Sequence, residues 1–181
     1  MANEKKIDCV ILGLLSHEVL TGYEIKKRMD TTLKYFWGAS YGSIYPALNQ
    51  LAQEELISKY EAKENGRDTI RYTINNSGRE YLKQWLEVPV TKDEIRYETL
   101  LKLFFGSEIG GEKTSAHIER FEDKIEEELP VLKEMAANLE MVKGREEAHI
   151  YYLLTVKFGI KVYEAYMEWC KEAKQILKGR E

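Results

Sequence analysis

Apolar residues recur at helical spacing in three segments of the first 55 residues. The run Asp8–Leu15 predicts a short, largely buried helix. Thr21 and Glu24 have the T-x-x-E spacing of a capping box, so a second helix is predicted to begin there. Glycine commonly follows the end of a helix, and this one is therefore expected to end at Gly38. Its apolar residues are Tyr23, Ile25, Met29 and Leu33. A third helix is expected over about residues 41–55.

The third predicted helix carries its apolar residues on one face, at Ile44, Leu48 and Leu51. Pro46 is tolerated only in the first turn of a helix, where its missing N–H would have no partner inside the helix. The helix should therefore begin within a few residues of Ser40–Ser43.

The spacing then changes to the period of two that is typical of a half-exposed strand. Apolar and polar residues alternate over Thr69, Ile70, Arg71, Tyr72, Thr73 and Ile74. A partner strand is predicted over Leu56–Ala62, and Asn65–Gly66 between the two is a strong hairpin-turn signal. Ser77 and Glu80 form a second capping-box spacing, which predicts a fourth helix through Tyr81, Leu82, Trp85 and Leu86.

Three helices, a hairpin and a fourth helix, in that order, are typical of a winged helix-turn-helix. We expect this domain to occupy residues 1–89. The fold class is therefore mainly α, with a β-hairpin wing.

Residues 90–181 are predicted to form a C-terminal α-helical dimerisation domain. Val88–Val90 interrupts the helical pattern, and Thr91 with Glu94 gives a third capping-box spacing before a helix at about residues 93–105. Glycines at 106, 110 and 111 end that helix. Two long helices follow, with apolar stripes like the seams of coiled coils. Their stripe residues are Ile118, Phe121, Ile125, Leu129, Leu132, Ala136 and Leu139, then Tyr151, Phe158, Val162, Tyr166, Trp169, Ala173 and Ile176. Pro130 predicts a kink or a break in the first.

Charge changes this picture little. The net charge is −4, and residues 1–88 carry twelve cations and twelve carboxylates. Binding to a nucleic acid would therefore need a local cluster of cations. No apolar run is long enough to span a bilayer and no secretory signal is apparent, so the expected location is the cytoplasm. Cys9 and Cys170 have no metal-site spacing and are expected to be buried thiols.

Several segments carry a resemblance to a known family: ILGLLS (11–16), TGYEIKK (21–27), GSIYPAL (42–48), RYTI (71–74) and SGREYLKQWL (77–86). Together they resemble the PadR family of bacterial transcriptional regulators over essentially all of residues 8–88. The resemblance implies a dimer that binds an operator, commonly as a repressor, and that is sometimes released by a small aromatic or drug-like ligand. Residues 89–181 resemble the longer-tailed members only in their pattern of helices.

The candidate DNA contacts lie on the second helix, the third helix and the wing. On the third, small residues allow close approach and outward polar groups can reach phosphates and base edges: Ser40, Tyr41, Gly42, Ser43, Tyr45 and Asn49. The second helix of this motif crosses the DNA backbone, where we place Tyr23 and Lys26. Arg67 and Arg71 of the wing are candidates for minor-groove or phosphate contact.

Three of these assignments have structural alternatives. Tyr45 could instead pack on the wing, and Ser40 could cap its helix. Arg71 could pair across the strands with Glu61.

The aromatic residues divide between core and ligand hypotheses. Trp37 and Trp85 are expected in the core of the winged domain. Phe158, Tyr166 and Trp169 are explained either by dimer packing or by a site for a small aromatic effector. No cofactor or metal site is predicted, because the histidines lack ligand spacing.

The chain has no phosphate loop and no pairing of a nucleophile with a base, so an enzyme is not expected. The function we predict is a sequence-specific, homodimeric transcriptional repressor that binds double-stranded operator DNA. The alternative is a protein-interaction adaptor whose winged domain docks on another protein. The balanced charge of residues 1–88 favours that alternative.

Overall fold

The computed structural model describes residues 2–37, 43–64, 67–90 and 97–179, except for the side chains of residues 2–5, 64 and 67. The chain divides into two compact units, Met1–Asp93 and Glu94–Glu181. The first contains α1 (Ala2–Leu15), β1 (Leu20–Thr21), α2 (Gly22–Arg28), α3 (Ile44–Gln53), β2 (Ile57–Glu64), β3 (Arg67–Ile74) and α4 (Asn76–Glu87). The second contains α5 (Glu98–Phe104), α6 (Gly111–Val142) and α7 (Ala148–Lys178).

The core of the first unit is formed mainly by α1, α2 and α3. Its fully buried side chains are Ile11, Leu12, Ile25, Ile44, Leu48 and Leu51. The predicted inward face of α3 is thus confirmed. Helix α1 begins at Ala2, well before the predicted Asp8, because the polar residues ahead of Asp8 include good helix formers.

The capping box of α2 is confirmed. The Thr21 hydroxyl accepts the Glu24 N–H at 3.1 Å, and Glu24 Oε2 accepts the Thr21 N–H at 2.8 Å. After Arg28 the helix widens into a π-helical turn, Met29–Leu33, so helical structure ends before Gly38, which lies outside the described residues. Tyr23, counted among the apolar residues of this helix, is not buried with Ile25 and Met29, since its side chain is 70% exposed.

A three-stranded antiparallel sheet with the order β1-β3-β2 forms the wing. The register pairs Ile57 with Ile74 and Glu64 with Arg67, close to the predicted hairpin. The Asn65–Gly66 turn lies outside the described residues. The short strand β1 was not predicted, because two residues are too few for a periodic signal.

The cap of α4 differs from the prediction. Asn75, not Ser77, is the N-cap, and its Oδ1 accepts the Gly78 N–H at 2.9 Å. The Asn75 side-chain amide also donates to the carbonyl of Glu55, a contact that links the helix start to the end of α3.

The tryptophans of the first unit are not core residues. Trp85 was expected in the core but is 41% exposed, because α4 packs against the core through Tyr81 and Leu82 instead. Trp37 is half-buried, with the ammonium of Lys6 5.4 Å from its ring centroid.

The second unit is built on the pair α6 and α7. Ion pairs join Glu122 to Lys174 near one end and Glu140 to Lys157 near the other, so the helices are antiparallel. The side chains of α6 buried in this unit are Thr114, Ile118, Ile125, Leu132 and Ala136. Most of these belong to the predicted stripe, and Pro130 does not break the helix.

The predicted stripe of α7 is wrong in part. Tyr151, Phe158 and Ile176 are exposed, whereas the buried residues are Leu153 and Cys170. Helix α5 is shorter than predicted, and the Thr91–Glu94 capping box lies outside the described residues. A break at the glycines is confirmed by Gly110, which has a φ of 81° directly before α6.

Candidate nucleic-acid interface

Helices α2 and α3 present polar side chains outward above the buried core. Because Ile44, Ala47, Leu48 and Leu51 face inward, Tyr45 and Asn49 face outward. Tyr45 is 59% exposed although it lies in the first turn of α3. Pro46 occupies that same turn, where no intrahelical N–H is required. On α2, Lys26 is exposed together with Tyr23.

The starts of α2 and α3 are in direct contact. The ring of Tyr45 lies against Gly22, so closely that a Cβ placed on Gly22 would be 2.7 Å from Tyr45 Cε1. Tyr45 is also near the base of the wing, since it adds to the effect of burial in raising the pKa of the Tyr72 hydroxyl. Tyr45 therefore has packing partners on one side and solvent on the other.

Helix α3 corresponds to the recognition helix of a helix-turn-helix, and its N-terminal end is described only from Ser43 onward. Ser43 holds the N-cap position of α3 without a side-chain capping hydrogen bond to the described residues. Ser40, Tyr41 and Gly42 lie outside the described residues.

Arg71 is held at the inner end of the wing. Its backbone lies opposite Thr21 in β1 and Tyr60 in β2, and its Nη1 donates to the carbonyl of Val19 at 3.3 Å. Glu61 lies opposite Ile70 instead. Successive strand residues point to opposite faces, so the register does not make Arg71 and Glu61 direct cross-strand partners, which was the alternative considered for Arg71.

The capping carboxylate of α2 is close to this arginine. The pKa of Glu24 is lowered, first by the hydrogen bond from the Thr21 backbone and then by the Thr21 hydroxyl, Arg71 and Arg28. Arg28 also pairs with Glu18 at 2.7 Å. These contacts tie the entry of α2 to the wing and keep Glu24 ionised.

Strand β2 of the wing carries cations that the sequence-based candidates did not include. Lys59 and Lys63 are exposed on β2, while Arg67, the first residue of β3, is described only in its backbone. The same-face spacing of Lys59 and Lys63, within and just after the predicted strand Leu56–Ala62, was the signal that could have found them.

An aromatic cluster joins α6, α7 and the residue before α5 within the second unit. Phe121 lies 5.6 Å from Tyr166 and 6.1 Å from Trp169, between ring centroids. Tyr97 packs edge-on against Tyr166, and their hydroxyls are hydrogen-bonded. Burial and this hydrogen bond raise the pKa of Tyr166. Phe158 lies apart from the cluster, 67% exposed and about 12 Å before Tyr166 along the helix.

Two other kinds of site, a metal site and a membrane-spanning helix, are absent from the part of the chain that the structure describes. It contains no group of three or more residues that could together ligate a metal ion. None of its helices has the length and apolar composition needed to cross a bilayer.

The fold and this surface define the class of protein: a winged-helix domain with an exposed recognition helix, followed by a helical unit. Residues 11–84 match the model of the transcriptional regulator PadR-like family, and residues 95–178 match the virulence activator alpha C-terminal model. The chain belongs to the PadR-like family of transcriptional regulators, which are not enzymes.

Individual relatives match along most of the chain. The negative transcriptional regulator PadR of Bacillus subtilis is 28% identical over 142 residues, which cover 76% of this chain and 75% of the relative. The crystal structure of smu.1604c from Streptococcus mutans has a TM-score of 0.79 and 30% identity, covering 91% of this chain and 96% of that one.

Solved forms of Bacillus subtilis PadR include two complexes. The one with operator DNA has a TM-score of 0.77 and 23% identity, covers 94% of this chain and 98% of that one, and shows the shared fold. The same protein is also solved with p-coumaric acid.

Proposed function

We propose that the chain is a homodimeric repressor that binds a specific operator duplex in the cytoplasm. Helix α3 would enter the major groove, α2 would cross the phosphate backbone and the wing would contact the flanking DNA. The observation that carries the proposal is the exposure of Tyr23, Lys26, Tyr45 and Asn49 on the outward side of α2 and α3.

The contacts divide by their chemistry. Tyr45 and Asn49 offer a hydroxyl and an amide to base edges or phosphates, and they would supply sequence preference together with Ser43. Lys26 and the wing cations would bind phosphates without regard to sequence. Ser40, Tyr41, Gly42 and the Arg67 side chain are proposed as contacts from the sequence. Repression is supported by the Bacillus subtilis relative, a negative regulator.

Dimerisation is proposed through the helices of the second unit. Phe104 on α5 is 82% exposed, and Leu101 and Phe105 beside it are also exposed. On α7, Leu154 and Phe158 form another exposed apolar patch, one turn apart. Apolar faces of this kind are seldom left in water, and a second copy of the chain is the occupant we propose.

Release of DNA by a small aromatic effector is the third part of the proposal. The effector would bind beside Tyr166 and Trp169, whereas Phe158, the third effector candidate from the sequence, lies apart from them and belongs to the proposed dimer face. The support is the aromatic cluster around Phe121 and the complex of Bacillus subtilis PadR with p-coumaric acid.

The test of DNA binding begins with selection of duplexes from a random-sequence pool. We expect enrichment of one motif and an affinity that falls steeply between low and moderate salt. Arg67→Ala should weaken binding to all duplexes alike and reduce the salt slope by about 1, whereas Tyr45→Ala or Ser43→Ala should relax sequence preference. Weak binding to every duplex, with no salt dependence, would instead support the protein-interaction adaptor.

The dimer is tested by light scattering at micromolar concentration. The wild-type chain should have twice the mass of the monomer, and Phe104→Glu should shift it toward the monomer. Phe36→Glu is the control and should leave the mass unchanged, because Phe36 is an exposed aromatic residue of the first unit. A monomeric wild-type chain contradicts the proposed mechanism.

Effector release is tested with p-coumaric acid as the first probe. Titration into the protein–duplex complex should release DNA, and Trp169→Phe should raise the concentration required. If a panel of small aromatics, including p-coumaric acid, releases no DNA, this part of the proposal is wrong.

A further inference from the structure

The contact between Gly22 and Tyr45 brings together residues that are 23 positions apart in the sequence. Gly22 is buried at the first position of α2, and Tyr45 is in the first turn of α3. A Cβ on Gly22 would lie 2.7 Å from Tyr45 Cε1, 3.2 Å from Cζ and 3.3 Å from the hydroxyl oxygen. The outer end of the tyrosine ring therefore occupies the space that any larger side chain would need.

Backbone conformation does not explain the glycine. Among the glycines that the structure describes, Gly110 has a positive φ, whereas Gly22 has the ordinary geometry of a helix. Alanine is favoured over glycine in regular helix, so at this position the small size of glycine is the property that matters. Gly13 of α1 offers a contrast, because a Cβ there would have open space around it.

A second tyrosine lies near the Tyr45 ring. Tyr72 of β3 is buried opposite Leu20, the residue two before Gly22, and it is close enough to Tyr45 for the two hydroxyls to interact electrostatically. The ring thus has the start of α2 on one side and the base of the wing nearby. More than half of it still faces solvent, on the outward side of the helix-turn-helix.

We propose that Gly22 is a positioning residue for DNA recognition: by lacking a Cβ it seats the ring of Tyr45 and sets where the Tyr45 hydroxyl meets the duplex. Gly22 itself acts through Tyr45 and is not proposed as a DNA contact. The inference rests on the proposed function, since it takes DNA as the ligand of this surface.

The test is a double-mutant cycle with full-length protein and two defined probes. One probe is the duplex enriched by the wild-type chain from a random pool, and the other is a scrambled duplex of the same composition. Gly22→Ala should weaken binding to the enriched duplex about tenfold, the size of one hydrogen bond, and leave the scrambled duplex unchanged. In a Tyr45→Ala background the same change should alter affinity by less than about twofold, because no ring remains to be displaced.

Control variants separate positioning from a general effect on folding. Gly13→Ala makes the same chemical change in α1 and should not affect binding to either duplex. Circular dichroism melts accompany every variant. A tenfold loss in both backgrounds overturns the proposal, as does an unchanged affinity of Gly22→Ala.

Two other outcomes are also decisive. If Gly22→Ala unfolds and Tyr45→Ala restores its folding, the contact serves stability and the proposal is overturned. If no sequence is enriched from the pool, the proposed function fails first and this inference fails with it. Enrichment without coupling between the two positions refutes only the role of Gly22.

Discussion

The capping box that opens α2 provides the sharpest test of how this domain is stabilised. Thr21 is buried and makes three hydrogen bonds with Glu24: the Glu24 N–H to its hydroxyl at 3.1 Å, its own N–H to Glu24 Oε2 at 2.8 Å, and its hydroxyl to the same oxygen at 3.0 Å. Thr21→Ala removes two of them and leaves the Glu24 N–H without its acceptor. Loss of an N-cap costs about 1 kcal/mol. The lost bond to a carboxylate adds about 1 kcal/mol more.

A loss of about 2 kcal/mol should lower the melting temperature of a unit of this size by about 10 °C. The assay is thermal unfolding followed by circular dichroism, with urea unfolding to check that the midpoint moves while the slope does not. Thr31→Ala is the matched control in the same unit, because Thr31 is exposed. Its hydroxyl donates to the Lys27 carbonyl at 2.9 Å and lies 3.5 Å from the Thr32 hydroxyl, and neither contact caps a helix. Its effect should stay below about 0.5 kcal/mol. Equal shifts for the two variants, or no shift for Thr21→Ala, would refute the reasoning.

Two further predictions concern the first unit, and a third concerns the two cysteine thiols of the chain. The hydrogen bond from the Thr21 backbone lowers the pKa of Glu24 in the folded state. The stability advantage of the wild type over Glu24→Gln should therefore be at its maximum above pH 4.5 and shrink as the pH falls through the lowered pKa. A constant difference across a pH series of melts would contradict this. Gly78→Ala should destabilise the winged domain by about 3 kcal/mol or more in urea unfolding, because the new Cβ would lie 2.1 Å from the Leu56 carbonyl oxygen. A variant as stable as the wild type would contradict this and show that α4 can move away from Leu56. Burial raises the pKa of Cys9 to about 11 and also raises the pKa of Cys170. A thiol reagent at neutral pH should therefore label neither cysteine until the protein is unfolded, and rapid labelling of the native chain would disprove this.

The features that could be predicted are those whose determinants lie within a few residues of one another. The T-x-x-E spacing at Thr21 identified the start of α2, and the spacing of Ile44, Leu48 and Leu51 identified both α3 and its buried face. A helix side chain meets neighbours three and four positions away, so the repeat in the sequence is itself the geometric information. The outward direction of Tyr45 and Asn49 followed from the same repeat.

Predictions failed where two local signals compete. Ser77 has a capping-box partner in Glu80, yet the cap of α4 is Asn75. The choice depends on the Asn75 amide, which donates to the carbonyl of Glu55, twenty residues earlier. Only the packed fold places that carbonyl within reach.

The apolar stripe of α7 failed for a related reason. Spacing shows that Tyr151, Phe158 and Trp169 lie toward one side of a helix, but α7 has more apolar surface than α6 can cover. The antiparallel pairing with α6 buries Leu153 and Cys170 and leaves Tyr151 and Phe158 exposed. Which stripe is covered within the chain depends on the partner helix and not on the periodicity.

Apart from the short strand β1, the sequence by itself determined the kinds and order of the elements in the winged domain, the capped start of α2 and the outward face of α3. These features depend on contacts between close neighbours in the chain. The tertiary structure alone decided that Gly22 meets Tyr45, that Arg71 binds the Val19 carbonyl and that Asn75 caps α4. The Gly22–Tyr45 and Arg71–Val19 contacts, and the Asn75–Glu55 hydrogen bond that accompanies the cap, join residues 20 or more positions apart. No local pattern encodes such a pair, since its geometry exists only after the helices and the wing have packed together.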